Sequence, residues 1–291
     1  MITIVQLALR PDDTLAGVES AVAALEAAGV AAVCVLDGAD TGEATAFEST
    51  TLCGRLASTT SEIGLVASNS ALYGFPYHLA RRLATVDHFS DGRSGWLLRT
   101  RTAADEAAAY DWRSTGGRGV ELHRAAEYAE IALELWDSWE DGAQYPDKAS
   151  GDYKDDARIH RIDYRSLAFR VEGPLDVPPS PQRRPVLFAR FDEAAEAALL
   201  PSVDVAIVSD PTTAAAVTAP LILRAVPPHT TPDEAERLRA ATGAHGLALH
   251  ATTDTVPEAC ALAVALGAAR NPGDTLAAAL GLTLTLGGRA A

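Results

Sequence analysis

The chain has 291 residues, 48% of them apolar and only 6% aromatic, which is material for a large core rich in Ala, Val and Leu and excludes a fibrous or disordered polymer. With 24 Lys and Arg against 39 Asp and Glu, the net charge of -15 argues against nucleic acid or an anionic membrane as partner, because both require clustered cations that displace counterions. No segment approaches the roughly 18 apolar residues of a membrane span.

The first run, ITIVQLAL (2–9), alternates like a strand, and the chain start lacks the basic residues and cleavage site of a secretory leader. A helix is predicted over 14–28, after Asp12-Asp13. Further strands are predicted at AAVCVLD (31–37), EIGLVAS (62–68) and SGWLLRT (94–100), with a long helix over 119–140. Residues 142–185 are too long and too rich in Pro, Gly and charge for an ordinary connector, and pattern does not say at which end of the fold they lie. They contain one strand-like run, Tyr164 to Val171.

Four strands complete the chain: PVLFAR (185–190), DVAIVS (204–209), LILRAV (221–226) and GLALHA (246–251). Before the last, Thr231-Pro232-Asp233-Glu234 announces a helix over 231–242, with a cap followed by Pro in the first turn. Eight strands alternating with helices predict an α/β fold, a single (β/α)8 TIM barrel over 1–291 carrying the 142–185 insertion; an open doubly wound sheet is the other arrangement that pattern alone allows. Cys34, Cys53 and Cys260 are far apart in apolar runs, so they read as buried free thiols in a reducing cytoplasm rather than disulfides or metal ligands. No Walker or dinucleotide fingerprint, Ser/His/Asp nucleophile motif or HExxH pair is present.

Four blocks carry a family resemblance. They are VCVLDG with FESTTLCGRLASTTSEIGLVAS, YGFPYHLARRLATVDHFSDGRSGW, LWDSWEDGA, and IHRIDYRSLAFRVEGPLDVPPSPQRRPVL, together covering roughly residues 31–188. This stretch resembles the bacterial luciferase-like flavin monooxygenases, in the branch of nitrilotriacetate and dibenzothiophene-sulfone monooxygenases. The resemblance implies a barrel with its site at the C-terminal mouth. It further implies a two-component, dimeric enzyme in which a separate flavin reductase supplies reduced FMN, or a deazaflavin takes its place, and a small apolar or sulfur-containing organic substrate is oxygenated. The chain is shortened against the family pattern: it lacks the long helical insertion before the last strand, and LRPDDT replaces the aromatic, His-rich loop after the first.

Carried over position by position, the resemblance marks Asp37 as the acidic residue near the flavin ring, and Ser68 and Ser70 as small hydroxyl residues at its edge. Helix capping explains Asp37 equally well, and strand-end turn chemistry explains Ser68-Asn69-Ser70. His78 and His88 read as structural or interfacial, and Trp96, Trp136 and Trp139 as packing anchors, the last two one helical turn apart.

The departures say more. Leu97 stands where the family Asn bonds the flavin and has neither donor nor acceptor. Leu122 replaces a Tyr that reaches the phosphate, with His123 the nearest alternative. Arg190-Phe191-Asp192-Glu193 replaces an Ala-Gly-Ser-Ser turn whose amides close around that phosphate. A carboxylate about 4 Å from a phosphate costs roughly 1 kcal/mol in water and about 4 at an intermediate dielectric. Against this, period-two alternation puts Arg99 and Arg101 on the face of Leu97, where with Arg190 they form a candidate anion site, unless they pair with Asp192, Glu193 or Asp105.

Two functions are therefore expected. The first is a working FMN-dependent monooxygenase with rewritten contacts at Asp37, Ser68, Ser70, Arg99, Arg101 and Arg190. The second is a non-catalytic barrel that binds no flavin and serves as partner or regulatory subunit of an active paralogue. An open mouth ringed by Arg99, Arg101 and Arg190 favours the first; a mouth filled by Leu97, Leu122 and Phe191 favours the second.

Overall fold

The period-two runs become eight parallel strands that close on themselves. The computed structural model describes residues 1–101, 104–110, 117–198, 200, 203–227, 229–271 and 273–284. The barrel strands are β1 (Ile2–Ala8), β2 (Ala32–Leu36), β3 (Gly64–Ser70), β4 (Ser94–Arg99), β5 (Val186–Phe191), β6 (Val205–Val208), β7 (Leu221–Val226) and β8 (Gly246–Thr252), each within two residues of its predicted bounds. Neighbours follow chain order around the ring, and β8 returns to β1 with Gln6 opposite His250. The fold is the (β/α)8 barrel.

Alternation divides each strand between two cores. Val5, Leu65, Trp96 and Leu187 face outward and pack against Leu25, Leu83 and Leu135 of the surrounding helices. Ile4, Cys34, Val66, Leu97, Phe188, Ile207 and Ala248 face inward and fill the barrel. The N-terminal end is stopped by Leu276 of the short helix Leu276–Ala279: a Cβ at Gly64 would lie 2.3 Å from its Cδ1, so a larger residue there would have to displace the Leu276 side chain. Among the described residues no helix is long and apolar enough to cross a membrane. Cys34 and Cys53 are buried free thiols and Cys260 is a half-buried one.

The sequence blocks of the family resemblance build the N-terminal rim. Asp87, buried near the end of the helix Pro76–Phe89, accepts from the Ser94 amide at 3.0 Å, the Ser94 hydroxyl at 2.7 Å and the Gln182 carboxamide at 2.6 Å. Arg93 is nested among carbonyls, donating to Ser90 O and Ile63 O at 2.8 Å. Arg184 grips Asp204 through two bonds of 2.7 and 2.9 Å, and Asp204 also accepts from the Leu187 amide.

Two expectations need correction. The helix Gly117–Trp136 stops short of residue 140, so Trp136 and Trp139 share no helical face. Ser138 intervenes: its hydroxyl donates to Leu135 O and accepts from the Leu175 amide, drawing the backbone out of the helix. Trp136 then bonds Ala80 O, whereas Trp139 bonds Leu175 O. The run from Tyr164 to Val171 is not one strand. It folds back as a hairpin, Tyr164–Arg165 against Arg170–Val171, because the Ser166 hydroxyl accepts from the Ala168 and Phe169 amides and makes a turn.

The 142–185 segment runs along the outside of the helix Gly117–Trp136, where Phe169 meets Tyr128 edge to face and Arg124 covers the Phe169 ring at 4.3 Å. None of its described residues lines the cavities at the barrel mouth.

Candidate functional site

Toward the C-terminal ends of the strands the inward side chains turn polar: Gln6, Ser68, Arg99, Arg190 and His250 succeed the apolar layers below. Arg190 donates to Gln6 Oε1. Burial, with the nearby Arg190 charge, lowers the pKa of His250 and favours the neutral ring.

The end of β2 is closed by its own side chains. Asp37 caps the short helix Gly38–Thr41, accepting from the Ala39 amide, and also accepts from the Ser49 amide, both at 3.0 Å. Both oxygens of the acidic residue are thereby engaged in positioning two loops; burial raises its pKa despite these bonds. Ser49 ties the loop down further, donating to Val35 O and accepting from the Ser68 amide. The Ser68 hydroxyl donates to Asp40 at 2.8 Å, and the Ser70 hydroxyl accepts from the Leu72 amide, which is the turn chemistry expected of it. Asp40 is pushed up to about 6 by burial, partly offset by Arg99 and Ser68.

Each arginine marked by the sequence has a partner. Arg99 forms a two-pronged pair with Glu106 on the helix Ala104–Ala109, and its Nε lies 3.5 Å from Asp40. Arg101 donates to Asp192 at 2.9 Å and to Glu196 at 3.1 Å. Of the acidic partners considered from sequence, Asp192 is therefore used, Glu193 is exposed, and the Asp105 side chain lies outside the described residues.

Glu196 is the residue the sequence did not single out. It is 3% exposed and collects the Asp192 amide at 2.9 Å, Arg118 Nη2 at 2.6 Å and Arg101 Nη2 at 3.1 Å. Burial disfavours its charge, but Arg118, the Asp192 amide and Arg101 outweigh it and hold the carboxyl below its ordinary range. Arg118 comes from a helix 78 residues earlier, so no local pattern announces the contact.

The Arg99–Glu106 pair lies on the boundary of two cavities. One, of about 310 Å³, is lined by Ser68, Leu97, Arg99, Arg101, Arg190 and Asp192. The other, of about 660 Å³, is bordered by Asp37, Ser70, Tyr73, His78, Glu106 and Tyr110, with the Tyr73 and Tyr110 rings stacked at 4.8 Å. Leu97 reaches the first cavity, but Leu122 and Phe191 do not fill it: both pack in the outer core between strands and helices. His123 is exposed, and His88 meets Pro178 O on the surface. Among the described residues no group of His, Cys, Asp and Glu is arranged to hold a metal.

The model of the luciferase-like monooxygenase family matches residues 4–257. The chain belongs to that family. Nitrilotriacetate monooxygenase component A of Aminobacter aminovorans is 40% identical over 141 residues, 48% of this chain and 31% of its own length. Dibenzothiophene-sulfone monooxygenase of Rhodococcus erythropolis is 37% identical over 157 residues, 52% of this chain and 35% of its own. One of two matching subunits of the pristinamycin IIA synthase of Streptomyces pristinaespiralis is 36% identical over 200 residues, 65% of this chain and 66% of its own. The chain thus matches about a third of the length of the two monooxygenases and 66% of that synthase polypeptide.

Solved structures share the fold at low identity. A riboflavin lyase superposes with a TM-score of 0.80 at 18% identity, covering 96% of this chain and 95% of that one. DmoA from Hyphomicrobium sulfonivorans gives 0.79 at 16%, covering 96% and 92%. In this luciferase-like barrel the rewritten positions divide: Leu97 and Arg190 line the mouth, whereas Leu122 and Phe191 pack in the outer core.

Proposed function

We propose that this chain is the accessory barrel of a two-subunit, reduced-flavin monooxygenase, whose flavin is held by a paralogous partner. One observation carries the reading: the buried Glu196 carboxylate binds Arg101, Arg118 and the Asp192 amide beside the end of β5. The amide after β5, which in the family pattern faces the flavin phosphate, is donated instead to Glu196, and Arg101 and Arg118 are bound to the same carboxylate. A phosphate brought there would meet Glu196 and Asp192 with Arg101 and Arg118 already matched, and Leu97 offers the ring no hydrogen bond. On this reading the groups around Glu196 do not fit an FMN phosphate.

The comparisons support the same reading. The pristinamycin IIA synthase match of 200 residues spans more of this chain than either monooxygenase match, and the other polypeptide of that synthase also matches, at 33% over 141 residues. Two related chains of one enzyme are the arrangement proposed here. A separate reductase would supply reduced FMN to the partner, where a small organic substrate is oxygenated.

The test is anaerobic calorimetry with reduced FMN, followed by co-purification with the paralogue. The chain alone is expected to show no saturable binding, and the paralogue's turnover is expected to depend on this chain. Saturable binding and substrate turnover by the isolated chain would overturn the proposal.

A second reading has one observation in its favour. Because Phe191 and Leu122 pack outward, a cavity ringed by Leu97, Arg99, Arg101 and Arg190 stays open, which suits an active monooxygenase holding reduced FMN or a deazaflavin through altered contacts. The same titration decides between them.

A further inference from the structure

We propose that the larger cavity, of about 660 Å³, binds an aromatic carboxylate, its ring against Tyr110 and Phe75 and its carboxylate held by the Tyr128 hydroxyl and the Arg82 guanidinium. The site belongs to this chain whether or not the chain seats a flavin, so it stands apart from the reading above.

The first argument is a hydroxyl that the fold does not use. Tyr128, on the helix Gly117–Trp136, is 2% exposed, and its ring is fixed by Trp96 at 6.0 Å and Phe169 at 5.8 Å. A phenylalanine would serve that packing equally well, and a buried tyrosine hydroxyl ordinarily finds a partner. Tyr128 nonetheless borders the cavity, and among the described residues nothing hydrogen-bonds its hydroxyl.

The second argument is charge. Arg82 lines the same cavity from the helix Pro76–Phe89 and has no carboxylate partner among the described residues, whereas its neighbour Arg81 pairs with Asp176 at 3.1 Å. Burial raises the pKa of the Tyr128 hydroxyl, and the charges of Arg82 and Arg124 partly offset this, which sets Arg82 within electrostatic reach of it. The carboxylates of the cavity are already engaged. Asp37 accepts from the Ala39 and Ser49 amides, Glu48 accepts from the Thr50 and Thr51 amides at 2.9 and 2.8 Å, and Glu106 is paired with Arg99. An incoming carboxylate is therefore drawn to the Arg82 end, where a guanidinium and a hydroxyl can both donate to it.

The third is the wall. Tyr110, 59% exposed, lies on Tyr73 at 4.8 Å with the two rings 3° from parallel, and Phe75 is 68% exposed on the same cavity. Exposed aromatic faces gathered on one cavity present a surface for a further ring. The volume falls within the roughly 300–1,000 Å³ of small-molecule sites.

Calorimetry on the full chain tests the site with benzoate, 3-phenylpropanoate and 4-phenylbutanoate, a series that varies the span from ring to carboxylate. At least one of these acids is expected to bind saturably, with its primary amide weaker by about tenfold or more and butanoate showing no saturable binding. Tyr128→Phe keeps the packing and should weaken the acid by about tenfold, the loss of one hydrogen bond to a charged group, and should weaken the amide less. Arg82→Met should weaken the acid by about threefold and reduce the salt dependence of its binding. Tyr110→Ala should weaken acid and amide alike.

Absence of saturable binding for all three acids would overturn the proposal. So would an amide or butanoate that binds as tightly as the best acid, or Tyr128→Phe and Arg82→Met variants that both bind that acid like wild type. Arg82 is on the surface, so its variant keeps the test decisive even if Tyr128→Phe folds poorly.

Discussion

Gln182 donates to Asp87 at 2.6 Å across 95 residues of chain, in a site closed to water. This bond fastens the end of the long excursion to the helix that precedes β4. The same carboxamide donates to Ser94 O and accepts weakly from the Ala277 amide, so one side chain ties together the helix, the strand and the plug at the base of the barrel.

Asp87→Ala leaves the Ser94 amide and hydroxyl and the Gln182 carboxamide short of an acceptor. It is expected to destabilise the fold by about 3 kcal/mol or more, since orphaned buried donors lose their hydration without recompense. Urea unfolding measures this. Adding Gln182→Leu should cost less than the sum of the two single changes, because they share one network; strict additivity would refute the coupling.

Arg184 and Asp204 have side chains 3% and 10% exposed. Arg184→Met abandons a buried carboxylate and is expected to cost about 3–5 kcal/mol. Asp204→Asn in that background should recover part of the loss by removing the orphaned charge while still accepting from the Leu187 amide. A double variant less stable than Arg184→Met would contradict this account.

Asp40 carries a pH dependence whose sign follows from its burial. Its folded pKa, about 6 against an ordinary 3.8, means that the folded chain holds a proton that the unfolded chain has released. The contribution of this group to stability therefore falls as pH rises from about 4 to about 6, by at most about 3 kcal/mol. Asp40→Asn stays neutral throughout, so its stability relative to wild type should grow across that window and level off above it. Denaturation at several pH values reads this directly, and a difference independent of pH would exclude the effect.

Glu196 runs the other way. Its depressed pKa contributes stability above the ordinary glutamate range, and that contribution is lost as pH falls through the folded pKa. Arg118→Ala removes the largest stabilising partner of the charge, so the Glu196 carboxyl should titrate at higher pH and the acid limb of unfolding should change shape. Carboxyl-resolved NMR titration is the measurement; an unmoved Glu196 would show that Arg118 does not hold it.

The legible part of this protein was its period-two and capping chemistry. Eight apolar runs, the Thr231-Pro232 helix start and the family blocks were local signals, and each became the element it announced. Where a short polar side chain competed with the backbone, the reading slipped: Ser138 ended a helix early, and Ser166 turned one strand into a hairpin.

Alternation along β4 put Arg99 and Arg101 on the face of Leu97, and all three line the smaller cavity together with Arg190. It did not reveal what those arginines meet. Phe191 looked like a candidate to fill the site, yet its place in β5 turns it outward into the core. The partners Glu106, Gln6 and Glu196 come from other elements, and ring closure brings them within hydrogen-bonding reach.

The sequence by itself therefore determined the eight strands and the alternation of their faces, which follow from short-range periodicity, while closure into a barrel was expected from the family resemblance and is seen in the strand order. Only the tertiary structure decided whether the mouth presents free cations or matched ones. Charge neutralisation between Arg118 and Glu196 acts over a few ångströms in space and 78 residues in sequence, and it exists only once the barrel has closed.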